Sequence, residues 1–248
     1  MLGFFVIIGL IVGSFLNVVI ARLPEGRSLW GPRSLCPGCG SPIAWYDNIP
    51  VASFIALRAH CRHCAMPISW QYPLTEAGTA LLFGIAYMVF GLTSDLLVGL
   101  ALLAALVAIT GIDLQRQLIP DVITLPGIIV GFLASLATDR ISWLDSLLGI
   151  AVGGGVFFVI IVASGGGMGG GDMKLGAMLG AFLGWQLVLL ATFIAVVVGG
   201  GLAIGLMAAK LRGRKDAIPF GPFLAAGGAI GLLWGERILR WYLAGFIA

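Results

Sequence analysis

Long runs of apolar residues alternate with short polar segments along most of the chain. A transmembrane helix needs about 20 apolar residues to cross about 30 Å of hydrocarbon, and residues 2–20 form the first such run. Further runs lie at about 74–91, 95–112, 122–138, 144–163 and 174–209, with a last one from about 220. The pattern predicts an all-α polytopic membrane protein.

The run at 174–209 is too long for one span. As a single helix it would extend about 54 Å, so we predict a break near Trp185–Gln186 and about eight transmembrane helices in all. We interpret 1–21 as a retained first helix rather than a cleaved signal, because no basic segment precedes it. Residues 22–72 then form a polar loop domain, and residues 73–248 form a membrane-embedded core.

The composition agrees with a bilayer as the surrounding solvent. Apolar residues make up 60% of the chain and charged residues 10%, against about 45–50% and about 25% in soluble domains. So few charges could not cover a water-facing surface, which excludes an ordinary soluble protein. We therefore expect membrane lipid among the partners. Because the net charge is only +3, we expect no nucleic acid.

The positions of the basic residues predict the orientation in the membrane. If the N-terminus lies outside, most of the 14 lysines and arginines fall in segments on the inside, as the positive-inside rule requires. These are Arg22, Arg27, Arg33, Arg58, Arg62, Arg116, Lys174, Lys210, Arg212, Arg214 and Lys215. The loop at 22–72 and the segments 113–121 and 164–174 are therefore expected on the cytoplasmic side.

All four cysteines lie in the polar loop, as Cys36-Pro-Gly-Cys39 and Cys61-Arg-His-Cys64. Two such pairs can present four thiolates tetrahedrally to one zinc ion. The alternatives are two disulfides or buried free cysteines, and a reducing cytoplasm argues against disulfides. A four-cysteine site leaves no open position for water, so we predict a structural Zn²⁺ rather than a catalytic one.

Two aspartates stand at the ends of apolar runs, Asp113 after the third and Asp172 before the sixth. Each could cap a helix, and Asp172 could pair with Lys174; alternatively, the two carboxyl groups could share one proton and activate water. Every residue from 165 to 171 except Met168 is glycine, which would let an extended substrate approach the acid. A flexible loop or close helix packing would also explain these glycines.

The sequence resembles the type IV prepilin peptidases, with motifs in the same order over nearly the whole chain. They are Gly13-Ser-Phe-Leu-Asn17, Arg22-Leu-Pro24, both cysteine pairs, Asp47-Asn48-Ile49-Pro50, Tyr72-Pro73-Leu-Thr-Glu76, Ile112-Asp113-Leu-Gln-Arg-Gln-Leu-Ile-Pro120-Asp121, Gly-x-Gly-Asp at 169–172 with Met173-Lys174, and Ile218-Pro-Phe-Gly-Pro222. One departure is Arg58-Ala59-His60, where the family commonly has Arg-Gly-Arg.

The resemblance implies an aspartic endopeptidase of the bacterial inner membrane with Asp113 and Asp172 as catalytic residues. Such enzymes remove the basic leader of a prepilin or pseudopilin after a glycine, on the cytoplasmic side, and serve type IV pili and type II secretion. Members with the cysteine loop also methylate the new N-terminal amine with S-adenosylmethionine, and Glu76 matches an acid linked to that step.

Two other functions remain compatible with the residues alone. A presenilin-like protease shares the Gly-x-Gly-Asp motif, but it would cut within a substrate's membrane span and would not need the cysteine loop. A transporter or assembly scaffold could use the same acids as an ion path.

Overall fold

The computed structural model describes residues 1–31, 34–165, 168–209 and 218–247, with the side chains of residues 246 and 247 left aside. Arg33, Lys210, Arg212, Arg214 and Lys215, which support the predicted orientation, lie outside these residues, as do Gly166 and Gly167 of the glycine run. The described part of the chain is helical and contains only two isolated β-bridges. The predicted all-α class is confirmed.

Eight α-helices follow one another in the described ranges. They are α1 (Leu2–Arg22), α2 (Ala52–Ala56), α3 (Gln71–Phe90), α4 (Ser94–Arg116), α5 (Asp121–Ala137), α6 (Trp143–Ala163), α7 (Gly170–Ala208) and α8 (Gly221–Ile247). Five of them, α1, α3, α4, α6 and α7, are long and apolar enough to cross a membrane, and α5 is a shorter apolar helix. The molecule is a membrane protein.

Helix α7 is broken at Gly184, where φ is 76° and ψ is 174°. This backbone conformation is essentially restricted to glycine. Without a break, the 39 residues of α7 would extend about 58 Å, nearly twice the hydrocarbon thickness. The predicted break near Trp185–Gln186 is therefore confirmed, and counting both halves of α7 gives eight long helical segments in the described residues.

The first compact unit comprises Met1–Leu92. In it α1 and α3 pack closely, because α1 presents Gly9 and Gly13 to the α3 backbone: an added Cβ at Gly13 would lie 2.7 Å from the Glu76 Cα. Near the other end of the pair, the rings of Phe5 and Tyr87 stack with centroids 4.9 Å apart. Small residues at a helix crossing permit this close approach in a membrane.

The second compact unit comprises Thr93–Ala248. Helix α7 lies at its centre and packs against α5, α6 and α8, while α4 packs against α8. Gly149 and Gly153 of α6 face Gly176 and Gly180 of α7, and any side chain at these positions would overlap the opposite backbone. The glycines thus fix the α6–α7 crossing, which orients the first half of α7 and the acid near its start.

Candidate active site and metal centre

Asp113 lies in the last turn of α4 and is only 5% exposed. A carboxylate is unfavourable there, because the C-terminal carbonyls of a helix carry partial negative charge. The structure compensates with the opposite end of another helix: the Gly221 N–H at the start of α8 donates to Asp113 Oδ2 at 3.0 Å. The start of α8 therefore holds the Asp113 carboxyl group in place.

Asp172 lies in the first turn of α7, after the N-cap Gly169. We predicted that this helix would begin after Asp172, and that prediction is wrong by four residues. The helix begins earlier because a carboxylate is favourable near a helix N-terminus. Asp172 is half-buried, so a polar ligand can still reach its carboxyl group.

The fold of the second unit brings Asp113 and Asp172 near each other, and the charge on Asp113 acts on the Asp172 carboxyl group. The alternative pairing of Asp172 with Lys174 is not what the structure shows. Lys174 Nζ instead donates to both carboxylate oxygens of Asp121, at 2.7 and 2.6 Å. Lys174 is therefore paired with Asp121, the first residue of α5.

Two glycines that the sequence analysis gave no individual role shape this site. An added Cβ at Gly221 would lie 2.6 Å from Asp113 Oδ2, and one at Gly171 would lie 2.9 Å from the Ile119 Cβ. Gly221 thus leaves room for the carboxylate that its own N–H binds. Gly171 lets the start of α7 approach the segment between α4 and α5. In the sequence, the importance of these glycines was indicated only by their positions in the Gly-x-Gly-Asp motif at 169–172 and in Ile218-Pro-Phe-Gly-Pro222.

We expect Gly171→Ala to slow the reaction at this site about tenfold or more, because displacements of about 1 Å can cost that much or more. Gly170→Ala is the matched control. It lies in the same helical turn, and an added Cβ there meets nothing within 4 Å, so its rate should stay within about twofold of the wild type. The rate of the leader cleavage that the sequence resemblance implies, measured for both variants, checks this; equal rates would show that the Gly171–Ile119 contact does not position Asp172.

The four cysteine sulfurs of the polar loop form one cluster. All four Sγ atoms lie within 4.8 Å of one another, and Cys36 Sγ is 3.6 Å from Cys64 Sγ. A disulfide would need about 2.05 Å, whereas four sulfurs about 2.3 Å from a central zinc ion lie roughly 3.8 Å apart. The spacing therefore fits a tetrahedral metal site and excludes disulfides between these thiols in this structure.

The two cysteine pairs adopt equivalent turns. The Gly40 N–H donates to the Cys36 carbonyl at 2.8 Å, and the Ala65 N–H donates to the Cys61 carbonyl at 3.1 Å. Gly40 and Ala65 both have positive φ, 69° and 56°. Each turn folds the backbone around its two thiols, so the pairs are preorganised to chelate one ion.

The thiols of the cluster differ in acidity. Hydrogen bonds from Ser41 lower the pKa of Cys39 to about 6. The backbone N–H of Met66 favours the Cys64 thiolate, but burial and the three neighbouring cysteines outweigh it and raise the pKa of Cys64 to about 12. Four thiolates cannot ionise so close together without a compensating cation, and a divalent metal supplies one.

An ion pair ties the second cysteine pair to the rest of the loop. The Arg62 guanidinium donates to both oxygens of Asp47, at 2.9 and 2.5 Å, and lies 5.5 Å from the centre of the Tyr46 ring. The same hydrogen bonds lower the pKa of Asp47. Nearby, Ala59 has φ 60°, which explains physically why glycine is favoured at this position in the family that the sequence resembles.

Glu76 is 7% exposed in α3 and is bound to the same loop. Its Oε2 accepts the Val51 N–H at 2.7 Å, and Ser14 of α1 interacts with the same carboxyl group. Val51 has φ 59°, a strained conformation for a β-branched residue. Strain of this kind persists where the surroundings enforce it, commonly at functional sites.

Glu76 also lines a cavity of about 370 Å³ between α1, α3 and the cysteine loop, within the first unit. This volume lies in the range of small-molecule sites. We call it the loop cavity. Its wall includes Cys36 and Cys61, so the loop that binds the metal also encloses the space beside Glu76.

Both units match known protein families. Residues 7–90 match the bacterial peptidase A24 N-terminal domain, and residues 100–204 match the type IV leader peptidase family. No solved structure matches the chain significantly.

Similar proteins cover almost the whole chain. A protein of Aeromonas hydrophila is 40% identical over 96% of this chain and 92% of its own length. One of Pseudomonas aeruginosa is 40% identical over 97% and 93%, and one of Burkholderia pseudomallei is 38% identical over 94% and 85%. Each carries the name prepilin leader peptidase/N-methyltransferase. The chain therefore belongs to the type IV leader peptidase family.

Proposed function

We propose that this protein removes the basic leader of a type IV prepilin or pseudopilin after a glycine, and then methylates the new N-terminal amine. The observation that supports the first step is that Asp113 lies near enough to Asp172 in the second unit for its charge to act on the Asp172 carboxyl group. The relatives of this protein carry a name that states both activities. Since Asp113 is held by the start of α8 and Asp172 begins α7, the two acids are fixed from different helices.

Peptide hydrolysis follows from one ionised and one protonated carboxyl group. The ionised group takes a proton from a water molecule as the water oxygen attacks the scissile carbonyl carbon. The protonated group donates its proton to the carbonyl oxygen. When the tetrahedral intermediate collapses, the C–N bond breaks and the departing amine takes up a proton, which restores the pair. The pair shares its protons and titrates as a unit.

The substrate's position follows from the predicted orientation. Asp113 ends α4 and Asp172 begins α7, so both acids lie at helix ends rather than in the middle of a span. The distribution of basic residues along the sequence supports a position of these ends on the cytoplasmic side of the bacterial inner membrane. A basic leader could reach them there while the hydrophobic part of the substrate remains in lipid.

The loop unit supports the second step. The thiols of Cys36, Cys39, Cys61 and Cys64 fit a structural Zn²⁺, which would stabilise the loop that encloses the loop cavity. S-adenosylmethionine supplies an electrophilic methyl group when bound. The buried carboxyl group of Glu76 on the cavity wall would accept hydrogen bonds from a positively charged group there.

Incubation of the detergent-purified chain with a prepilin and labelled S-adenosylmethionine tests both activities at once. We expect mass spectrometry to show loss of the leader after a glycine, followed by a methyl group on the new N-terminal residue. A chain that leaves the prepilin intact would support an ion-path function for the aspartates. Cleavage inside the hydrophobic segment would support a presenilin-like protease. Cleavage at the leader without methyl transfer would leave only the peptidase.

A further inference from the structure

The exposed side of α3 is a stripe of apolar residues that continues to the start of the helix. Leu74, Leu81 and Met88 lie seven residues apart, on one face of α3, and all three are exposed. The opposite side of α3 packs on α1. Since α3 is long and apolar enough to cross a membrane, lipid covers the exposed face. Trp70 lies one turn before Leu74, and the Leu74 N–H donates to the Trp70 carbonyl at 3.1 Å, so Trp70 stands on the same face at the edge of the hydrocarbon.

A side chain of the polar loop packs on this tryptophan. The ring of Phe54 in α2 meets the ring of Trp70 edge on, with the centroids 4.9 Å apart. The contact holds α2 beside the start of α3, at the level where α3 leaves the hydrocarbon. Trp70 is still 68% exposed, so Phe54 covers only part of it. Tryptophan is enriched at this level of a bilayer, because its ring has both an apolar body and a polar N–H.

Helix α2 buries a polar residue and exposes apolar ones. Ser53 is buried, and its hydroxyl donates to the Ile49 carbonyl. Ile55 is 69% exposed, and Ala52 and Ala56 are exposed beside it. A helix at a water-facing surface shows the reverse arrangement, with its polar residues outward. The outward side of α2 is therefore suited to the boundary between water and lipid rather than to water.

A basic side chain follows the apolar side of α2. Arg58 is exposed, and its N–H donates to the Ile55 carbonyl at 3.0 Å, so it lies one turn beyond Ile55. A guanidinium group can pair with phosphate while the carbon chain that carries it lies along apolar surface. An apolar face with basic residues beside it is the pattern of segments that lie in a membrane interface.

We propose that the polar loop docks on the membrane surface through Phe54, Ile55, Arg58 and Trp70, which we call the interfacial anchor. Its apolar side chains lie among the lipid headgroups and upper acyl chains, and Arg58 pairs with lipid phosphate. The occupant is the phospholipid bilayer, because the anchor is continuous with the face of α3 that lipid already covers. The loop is thus attached to the membrane through α2 as well as through α1 and α3, and this attachment requires neither leader removal nor methyl transfer.

Photo-crosslinking of the full chain in nanodiscs of phosphatidylethanolamine and phosphatidylglycerol tests the proposal. A benzophenone amino acid replaces Ile55, or Leu74 as the lipid-covered reference, or Trp45 as the matched control. Trp45 is an exposed apolar residue of the same loop, but its ring packs on Tyr46 beside Arg62 of the second cysteine pair. By mass spectrometry we expect lipid adducts at position 55 within about threefold of those at 74, and about fivefold or more above those at 45.

Lipid adducts at position 74 with none at 55 would overturn the inference, and equal adducts at 45 and 55 would show that α2 is not the docking element. Adducts from position 55 to a second copy of the chain would assign this surface to a protein contact instead.

Ile55→Trp is a second variant that keeps the position apolar, so its loop should fold even if the benzophenone disturbs it. In nanodiscs whose lipids are brominated on the acyl chains, a larger fraction of its tryptophan emission should be quenched than in the wild type. A fraction equal to or below that of the wild type would place position 55 in water and contradict the anchor.

Discussion

Leader removal is expected to fall by about 10³-fold or more when Asp113 or Asp172 is replaced by asparagine. An amide can neither take a proton from water nor donate one to the carbonyl oxygen as a carboxyl group does. The fold should persist, because an asparagine oxygen at position 113 can still accept the Gly221 N–H that now binds Asp113 Oδ2. Rates of leader release from a purified prepilin, followed by mass spectrometry, measure the effect.

Asp145→Asn is the control for this experiment. Asp145 lies in the first turn of α6 in the same unit, where its N–H and carboxylate bond to the Ser142 hydroxyl. Its loss weakens a helix terminus but removes no group from the proposed pair. We expect a rate within about threefold of the wild type, and a loss like that of the Asp113 and Asp172 variants would indicate general damage to the unit.

The second large effect is expected at the metal centre. The wild type should carry about one zinc per chain, and Cys36→Ser should lose it, because a serine hydroxyl is a poor replacement for a thiolate in a four-cysteine site. The remaining thiols would then repel one another once ionised. Methyl transfer should fall with the zinc, since the loop cavity is enclosed by the same loop. Elemental analysis and the labelled-methyl assay measure the two quantities.

His60→Ala separates loss of a ligand from general disturbance of the loop. The His60 ring lies against the Arg58 carbonyl, with Nδ1 at 2.6 Å, and the histidines do not belong to the sulfur cluster. This variant should retain its zinc. A folded, active wild type without zinc, or equal zinc loss in both variants, would contradict a site made by the four cysteines.

Hydropathy predicted most of the helices because a bilayer demands long apolar segments with internally bonded backbones. The position of the α7 break could also be predicted, since the length of the run required one and Gly184 permits it. The start of α7 could not, because glycines at 165–171 are equally compatible with a loop. Hydropathy shows where a helix lies in the chain but carries no information about its partners.

The contacts that complete the sites join residues far apart in sequence. The Gly221–Asp113 hydrogen bond spans 108 positions, and the Lys174–Asp121 pair spans 53. These contacts depend on which helix faces which. At the site, Gly221 of α8 leaves room for Asp113, and Gly171 of α7 lets that helix approach Ile119. The cysteine cluster was predictable because each cysteine pair lies within one local turn. Only the contact between the two turns had to be inferred over a long stretch of sequence.

The most direct test of the central claim is the rate of leader release for Asp113→Asn, Asp172→Asn and the double variant, measured with one prepilin under one set of conditions. If the two carboxyl groups act as a unit, either single substitution removes the whole effect, and the double variant should be no slower than the slower single variant within about threefold. If either single variant kept a rate near that of the wild type, or if the two losses multiplied in the double variant, the shared-proton mechanism would be contradicted.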